Sequence, residues 1–283
     1  MRTKVECVIL DPQNDFCVPN GSIPGIETGR MLVPGAHEDM KRLAKWIDRN
    51  IQKLNRIRVT LDSHHRIDVA HKWFWKDRYG NHPLPLSEAI ARNGMPTFIS
   101  SKDIRAGVWM PMVPSLKPRM IKYTEALESA GNFALTIWDD HCIIGTPGAA
   151  IVPELQIALD NWCQEKFATV DYVTKGSNVF TEHYGAFAAE VPNPEDPTTQ
   201  LQTDLIKSIE DNDVIVWAGE ASTHCVLTTM KQAFEVFGAD SIKKSVLLID
   251  AMSGIPHAQK TFDDFVDEYQ KKGLRVAKTT NFF

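Results

Sequence analysis

The sequence predicts an α/β protein built on a doubly wound, mainly parallel six-stranded sheet with helices on both faces. Short apolar runs rich in β-branched residues alternate with longer segments that carry apolar residues at helical spacing. Such runs are typical of strands buried on both faces of a parallel sheet. We predict strands at 4–10, 56–62, 167–173, 213–218, 245–250 and 274–278. We predict helices at 34–49, 149–164, 200–210, 223–237 and 258–272.

The composition indicates a globular protein without a polyanionic partner. At 283 residues, we expect one large domain over 1–283. A net charge of −5 gives no electrostatic case for binding nucleic acid or an anionic membrane. No apolar run approaches the roughly 20 residues that span a bilayer. Five cysteines without a disulfide-framework spacing, and an N-terminus without a signal-peptide pattern, are typical of a cytoplasmic protein.

One stretch, at about 66–137, does not fit the alternation of strands and helices. A long irregular connection in a compact domain is usually functional or disordered, and aromatic content argues against disorder. We expect an inserted, cap-like segment whose residues, from about 72 to 137, fold over the carboxyl edge of the sheet. An oligomer contact or a peripheral subdomain is the alternative. The segment contains an aromatic cluster, namely Trp73, Phe74, Trp75 and Tyr79.

A cysteine stands where a predicted strand gives way to a helix. Gly219 ends the strand, Ser222 and Thr223 are good N-cap residues, and Cys225 then falls in the first helical turn. Unpaired amides and the positive end of the helix dipole stabilise a thiolate there, and the same N–H groups can hold an oxyanion. The position therefore predicts a reactive thiol, although a small buried core residue would look the same.

Other strand ends also carry polar side chains. Asp11 follows the first strand, Asp62 and His64 end the second, and Lys175 follows the third. His141 lies between the second and third strands. Ligands of an open α/β sheet bind outside the carboxyl ends of its strands. We therefore expect these side chains to converge on one site.

Five short motifs carry a family resemblance in their order along the chain: ILDPQNDF, TLDSHH, WDDHCIIGTPGA, TKG and AGEASTHCV. They resemble those of nicotinamidase/isochorismatase-like cysteine hydrolases, and are closest to the metal-dependent nicotinamidases. Each motif alone is weak, but the combination in this order is specific. The resemblance implies the isochorismatase-like hydrolase fold and a metal-dependent cysteine amidohydrolase. Its substrate would be a small carboxamide, with nicotinamide as the first candidate. Nicotinamide would be cleaved to nicotinate and ammonia in NAD salvage.

The resemblance also implies a catalytic triad and an oxyanion hole. Asp11 would accept the thiol proton of Cys225, and Lys175 would lie between them and favour both anions. An ordinary ion pair at the sheet edge is the alternative for the lysine and the aspartate. The amides of Ala221 and Cys225 would hold the oxyanion, with the preceding peptide bond cis. Glu220 departs from the family, in which an apolar residue is common at that position.

A carboxylate and two imidazoles form a candidate metal site. Asp62 and His64, two residues apart in an extended segment, point to one side. Together with His141 they suit Zn²⁺, Mn²⁺ or Fe²⁺ with open positions. The resemblance implies one divalent transition metal, zinc first with iron or manganese as alternatives. It would bind the ring nitrogen of the substrate or hold the hydrolytic water. His71 is the candidate fourth ligand, with His65 as the alternative.

The resemblance places aromatic side chains around the substrate. Trp138 would stack on a pyridine ring, and Phe16 and Tyr184 would form further walls, although aromatic residues at strand ends most often only pack. Gln13 is a further candidate near the substrate, and with Asp15 it would orient the loop after the first strand.

Two other functions remain open. A carbamoyl-amide hydrolase of the ureidoacrylate or N-carbamoylsarcosine type is the alternative enzyme, and such relatives generally lack the metal set. A binding module that has lost catalysis is the alternative class. An isochorismatase is disfavoured because it does not use the nucleophilic cysteine. We expect a small-molecule amide substrate, a homo-oligomer, and neither nucleic acid nor membrane as a partner.

Overall fold

The computed structural model describes residues 3–131 and 133–283. Its strands are, in chain order, β1 (Val5–Leu10), β2 (Arg56–Asp62), β3 (Trp75–Lys76), β4 (Phe98–Ile99), β5 (Met110–Pro111), β6 (Leu135–Thr136), β7 (Asp171–Lys175), β8 (Val214–Gly219), β9 (Ser245–Leu248) and β10 (Arg275–Ala277). Six of them form one parallel sheet with the order β10-β9-β8-β1-β2-β7. The predicted fold class is therefore confirmed.

Helices cover both faces of this sheet. They are α1 (Asn14–Cys17), α2 (Ala36–Asn50), α3 (Leu86–Asn93), α4 (Ser101–Ala106), α5 (Lys117–Ala130), α6 (Pro153–Lys166), α7 (Thr203–Glu210), α8 (Leu227–Val236), α9 (Ala239–Lys244) and α10 (Gln259–Lys271). One core joins α2 and α6 to the side of β1 that bears Cys7 and Ile9. A second core joins α7, α8 and α10 to the side that bears Val8 and Leu10. Along the described residues, no helix combines the length and apolar character needed to cross a membrane.

The strand register brings the ends of four neighbouring strands to one edge. Leu10 pairs with Gly219 and Asp62 pairs with Lys175, so β1, β8, β2 and β7 end nearly level. Gly219 permits a close approach of β8 to β1, because a Cβ atom there would lie 2.1 Å from the Leu10 carbonyl oxygen. The polar residues predicted at strand ends therefore share one edge.

The third predicted strand, 167–173, is wrong in its bounds. The strand β7 begins at Asp171 and runs to Lys175. Helix α6 extends to Lys166, and Phe167 then adopts a left-handed conformation (φ +49°) with a fully exposed side chain. The apolar residues that suggested a strand start thus belong to the connection after the helix.

The inserted segment folds around a small core of its own. Strand β3 pairs with β5 and β4 pairs with β6, both antiparallel. Phe74 and Trp75 are buried in that core with residues of α4 and α5, whereas Tyr79 of the same aromatic cluster is 80% exposed. Phe180 and Val191, which follow β7, pack against this core. The segment is therefore a structured side layer of the sheet domain.

Candidate active site and metal centre

A cavity of about 50 Å³ lies at the carboxyl edge of the sheet. Side chains from the ends of β2, β7 and β8 and from the loops beside them line it. Most of the predicted site residues are among them, namely Phe16, Asp62, His64, Trp138, His141, Lys175, Tyr184, Ala221 and Cys225. The structure thus brings together groups that are more than 200 residues apart in the sequence.

Lys175 lies at the centre of the charged groups. Its ammonium nitrogen is 3.0 Å from Oδ2 of Asp11, 3.0 Å from Oδ1 of Asp62 and 3.6 Å from Sγ of Cys225. It also donates to the carbonyl oxygen of His183 at 3.0 Å. All of these side chains are buried. The lysine therefore joins the predicted triad to the predicted metal site.

Asp11 is held in place by a threonine of the neighbouring strand. The backbone N–H of Asp11 donates to Thr60, and the hydroxyl of Thr60 donates to Oδ1 of Asp11 at 2.5 Å. Thr60 lies two residues before Asp62 on β2, so the period of a strand places both side chains on one face. This alternation was the available sequence signal for Thr60, which the sequence reasoning missed.

The thiol of Cys225 retains its proton in this arrangement. Burial raises the pKa of Cys225 well above its ordinary value, against the lowering effect of Lys175. Burial also raises the pKa of Asp11, again against Lys175. The expectation of a thiolate stabilised by a helix start is therefore reversed, because desolvation outweighs the nearby cation.

The loop after β8 delivers Cys225 through a wide turn. The Glu220–Ala221 peptide bond is cis. A turn of π-helix over Ser222–Val226 follows, in which the N–H of Val226 donates to the carbonyl oxygen of Ala221 at 3.2 Å. The regular helix α8 begins only after it, so the predicted first helical turn, which contains Cys225, is a turn of π-helix. Ala221 and Cys225 both lie in the cavity wall.

Asp62, His64 and His141 form a compact group of metal-ligand type. Their nearest ligand atoms all lie within 4.8 Å of one another. Nε2 of His64 is 3.1 Å and Nε2 of His141 is 3.5 Å from Oδ2 of Asp62. The Nδ1 atoms face away, to Asp68 at 3.1 Å and to the carbonyl oxygen of Asp139 at 2.7 Å. Such outward partners fix the ring orientation of metal-binding histidines.

His71 presents an unpartnered nitrogen beside this group. Its Nδ1 bonds to the carbonyl oxygen of His65 at 3.2 Å and hence carries the proton, and its buried Nε2 has no partner among the described residues. The ring centroid is 5.0 Å from that of His64 and 5.5 Å from that of His141. Burial lowers the pKa of His71 to about 3, so the ring is neutral. The side chain of His65, in contrast, is exposed. A buried acceptor next to one carboxylate and two imidazoles fits a divalent transition metal.

Aromatic residues form the other wall of the cavity. Nε1 of Trp138 donates to Oε2 of Glu182 at 2.9 Å and to the hydroxyl of Tyr184 at 3.1 Å. The ring of Phe16 meets that of His141 edge-on, with centroids 5.3 Å apart. The three predicted aromatic residues thus all line the cavity.

Gln13 is placed differently from the prediction. Its side chain is fully buried and does not line the cavity. Nε2 of Gln13 donates to the carbonyl oxygen of Asp62, and Oε1 accepts from the N–H of Asp62, both at 2.7 Å. Asp15 acts in a similar way on the next loop, where its Oδ2 accepts from the N–H of Cys142 at 2.8 Å. Both side chains hold backbone groups next to candidate metal ligands.

The inserted segment does not cover the cavity. Among its described residues, none from 66 to 137 lines the wall. Phe133 packs behind the wall, with its ring centroid 4.4 Å from that of Tyr184 and 5.6 Å from that of His224, which do line the cavity. The expected cap is therefore a support behind the aromatic wall, because the segment buries its apolar residues in its own core.

Three titratable residues of the wall were not among the predicted site residues. Glu182, His183 and His224 all line the cavity. Burial raises the pKa of Glu182 and lowers that of His183 to about 3. The adjacency of His224 to Cys225 was a usable signal. Glu182 and His183 lie in an irregular connection, where no spacing rule points to a site.

Comparisons with known proteins establish the fold. No family model and no curated protein matches the chain. Among solved structures, the yeast nicotinamidase bound to the inhibitor nicotinaldehyde is similar over 97% of this chain and 99% of its own, with a TM-score of 0.59 and 18% identity. A pyrazinamidase of Pyrococcus horikoshii in complex with zinc is similar over 97% and 99%, with a TM-score of 0.53 and 17% identity. An isochorismatase family protein from Desulfovibrio vulgaris is similar over 98% and 95%, with a TM-score of 0.51 and 15% identity. The chain has the isochorismatase-like α/β fold.

Proposed function

We propose that the protein is a metal-dependent cysteine amidohydrolase that cleaves a small carboxamide, nicotinamide first, to the carboxylate and ammonia. One observation carries the proposal. At one buried edge of the cavity, Nζ of Lys175 lies 3.0 Å from Oδ2 of Asp11 and 3.6 Å from Sγ of Cys225. The cluster of Asp62, His64 and His141 lies next to these groups. An ion pair that only closed the sheet edge would need neither the thiol nor the imidazoles.

The geometry supports acyl transfer through the sulfur. Asp11 takes the thiol proton while Sγ of Cys225 bonds to the carbonyl carbon, and the carbonyl electrons move onto the oxygen. The amides of Ala221 and Cys225 hold that oxyanion. Asp11 returns the proton to the nitrogen, the C–N bond breaks and ammonia leaves. Asp11 then deprotonates a water that attacks the thioester, which releases the acid and restores the thiol.

Asp62, His64 and His141 would hold the metal, with His71 as a fourth ligand. The bound ion would supply a fixed positive charge that orients a ring nitrogen or a water. The zinc in the pyrazinamidase of Pyrococcus horikoshii supports zinc as the first candidate for this chain. The aromatic wall of Phe16, Trp138 and Tyr184 would hold the acyl group. A single domain over 1–283, a homo-oligomeric state, a cytoplasmic location and a role in NAD salvage remain predictions from the sequence.

The cavity volume favours a second candidate, a carbamoyl-amide hydrolase. The volume of about 50 Å³ is about a third of the ~150 Å³ of a protein cavity that binds benzene. A pyridine ring therefore enters only if wall side chains move, whereas a compact acyclic amide needs less displacement. The metal cluster favours the nicotinamidase function, because the carbamoyl hydrolases generally lack it.

An ammonia-release assay across nicotinamide, pyrazinamide and N-carbamoyl compounds tests both candidates. The same sample, never exposed to a chelator, is examined for metal by elemental analysis. The proposal expects release from the pyridine and pyrazine carboxamides and about one transition-metal ion per chain. Release from N-carbamoyl compounds alone, by protein without metal, would establish the second candidate instead.

A further inference from the structure

Two buried carboxyl groups lie beneath the loop that carries Ala221. Glu220 and Asp39 are 0% and 2% exposed. Both bind Ser253: Oε2 of Glu220 accepts from its backbone N–H at 2.9 Å, and Oδ2 of Asp39 accepts from its hydroxyl at 2.5 Å. Oε1 of Glu220 is buried without a hydrogen-bond donor among the described residues. The catalytic steps described above use neither carboxyl group.

The charges around this pair do not balance if both groups are ionised. From α2, Arg42 pairs with Asp39 and donates through Nε to the carbonyl oxygen of Asp250 at 2.7 Å. From α1, the buried thiol of Cys17 faces the pair and brings no positive charge. The guanidinium of Arg42, whose side chain is 42% exposed, would therefore face two buried carboxylates. A buried group in that position becomes neutral rather than remain as an unpaired charge.

The unpartnered oxygen of Glu220 also favours a proton. Burial raises the pKa of Glu220 well above its ordinary value, and Asp39 raises it further. Oε1 of Glu220 has no hydrogen-bond partner among the described residues, and Oε2 already accepts from Ser253. Two ionised carboxylates have only acceptors, so a proton on one of them is what allows neighbouring carboxyl groups to hydrogen-bond to each other.

Ser253 links this pair to the loop of the nucleophile. Its carbonyl oxygen accepts from the N–H of Ser222 at 2.8 Å, and the N–H of Ile255 bonds to the hydroxyl of Thr223 at 3.1 Å. The packing between these segments is tight, because a Cβ atom on Gly254 would lie 2.6 Å from Cγ2 of Thr223. The side chain of Ile255 reaches the cavity wall. A shift of the 250–255 segment would therefore move the loop of Ala221 and Cys225.

We propose that Glu220 is a positioning residue that stays protonated at neutral pH, shares its proton with Asp39 and so holds the 250–255 segment against the oxyanion loop. Loss of this proton places two carboxylates side by side and separates the segments. The activity part of this inference rests on the proposed function, whereas the proton itself can be tested without any substrate.

The variant Glu220→Gln tests the proton through stability. Its amide keeps the shape, donates to Asp39, accepts from Ser253 and cannot ionise. The carboxyl group of Glu220 is protonated in the folded state above its ordinary pKa of 4.5. The stability of the native protein therefore falls as pH rises toward the folded-state pKa, and the variant lacks this loss. The difference in Tm, variant minus native, should rise with pH from about pH 5 upward until the folded-state pKa of Glu220 is passed.

Glu165→Gln, on an exposed residue of α6, is the matched control and should show a Tm difference that does not vary with pH. Asp39→Asn tests the same pair should Glu220→Gln fail to fold. It should give a smaller rise in the same direction, because burial still raises the pKa of Glu220 when the charge of Asp39 is gone. Parallel Tm curves for the native protein and both variants would show that Glu220 is ionised in the folded protein and would overturn the inference.

Activity gives the second readout. In Glu220→Gln the high-pH limb of kcat should move to higher pH, with KM for the amide unchanged. An unchanged limb together with a rising Tm difference would limit Glu220 to a structural role and overturn the positioning part. If the native protein hydrolyses no amide, the proposed function fails, and the Tm comparison still decides whether the proton is shared.

Discussion

The side chain of Gln13 binds both backbone groups of Asp62. Its amide nitrogen donates to the carbonyl oxygen of Asp62 and its amide oxygen accepts from the N–H of Asp62, each at 2.7 Å. This pairing joins the loop after β1, which carries Asp11, to the end of β2, which carries a candidate metal ligand. One buried amide therefore links the position of Asp11 to that of the candidate metal ligand Asp62.

Replacement of Gln13 by leucine should lower metal affinity by about tenfold to a hundredfold, as loss of an outer partner typically does in metal sites. Two buried backbone groups would also lose their partners, at about 1–3 kcal/mol each in the free energy of unfolding. Metal titration and thermal denaturation measure the two effects. Gln270→Leu, on an exposed position of α10, is the control. Unchanged metal affinity in Gln13→Leu would show that the backbone of Asp62 needs no such support.

Thr60→Val should slow the reaction without changing metal content. The substitution keeps the side-chain shape but removes the 2.5 Å bond to Asp11. A carboxylate that loses a hydrogen-bond donor has a higher pKa, so the acidic limb of kcat/KM should move to higher pH. We expect kcat to fall about tenfold, at the weak end of acid–base effects. Thr124→Val, in α5 and bonded only to helix carbonyls, should leave the profile unchanged. An unshifted limb would mean that Asp11 does not set it.

The pair His71 and His65 provides an internal test of the fourth ligand. His71→Ala should weaken metal binding measurably, because it removes a buried nitrogen that faces the cluster of His64 and His141. His65→Ala is the matched control, since its side chain is exposed, and should bind metal as the native protein does. Isothermal titration with Zn²⁺ compares the two. Equal affinities would leave only three protein ligands at this site.

Phe133→Ala tests whether the inserted segment supports the aromatic wall. The ring lies 4.4 Å from that of Tyr184, so its loss should let the wall relax and lower kcat/KM about tenfold, within the cost of a small misplacement of substrate. Metal content should not change. Phe98→Ala, at a 46% exposed position of the same segment, is the control. If Phe133→Ala instead accepted a wider range of amides, with no loss of kcat/KM on the smallest amide, the segment would act as a cover over the cavity.

The sheet and the convergence of its ends could be predicted from the sequence. Buried parallel strands have a plain signal in short β-branched runs, and polar residues such as Asp11 and Lys175 at their ends can only meet at one edge. The spacing of Asp62 and His64 carries its own geometric information in an extended segment. These patterns are local, so they can be recognised in the sequence without knowledge of how the chain packs.

Other features depend on contacts that no local pattern contains. Gln13 has its partner 49 residues away, and its role follows only from where β2 ends. The pKa of the thiol of Cys225 is raised because the whole loop is desolvated, whereas the sequence indicates only a helix start. From its composition, the inserted segment could pack either over the carboxyl edge of the sheet or beside it. Its position beside the edge follows from the core that the segment forms with its own apolar residues.

Ammonia release by Cys225→Ala is the most direct test of the central claim, that Cys225 is the nucleophile of an amide hydrolase. It is measured with nicotinamide as the substrate, on proteins with equal metal content and equal Tm. The native protein and Cys163→Ala are assayed in parallel. Cys163→Ala is the control, because it removes a half-buried cysteine of α6 that lies outside the cavity. The account predicts turnover by the native protein and by Cys163→Ala, and none above background by Cys225→Ala. Turnover by Cys225→Ala within a few-fold of the native rate would contradict it.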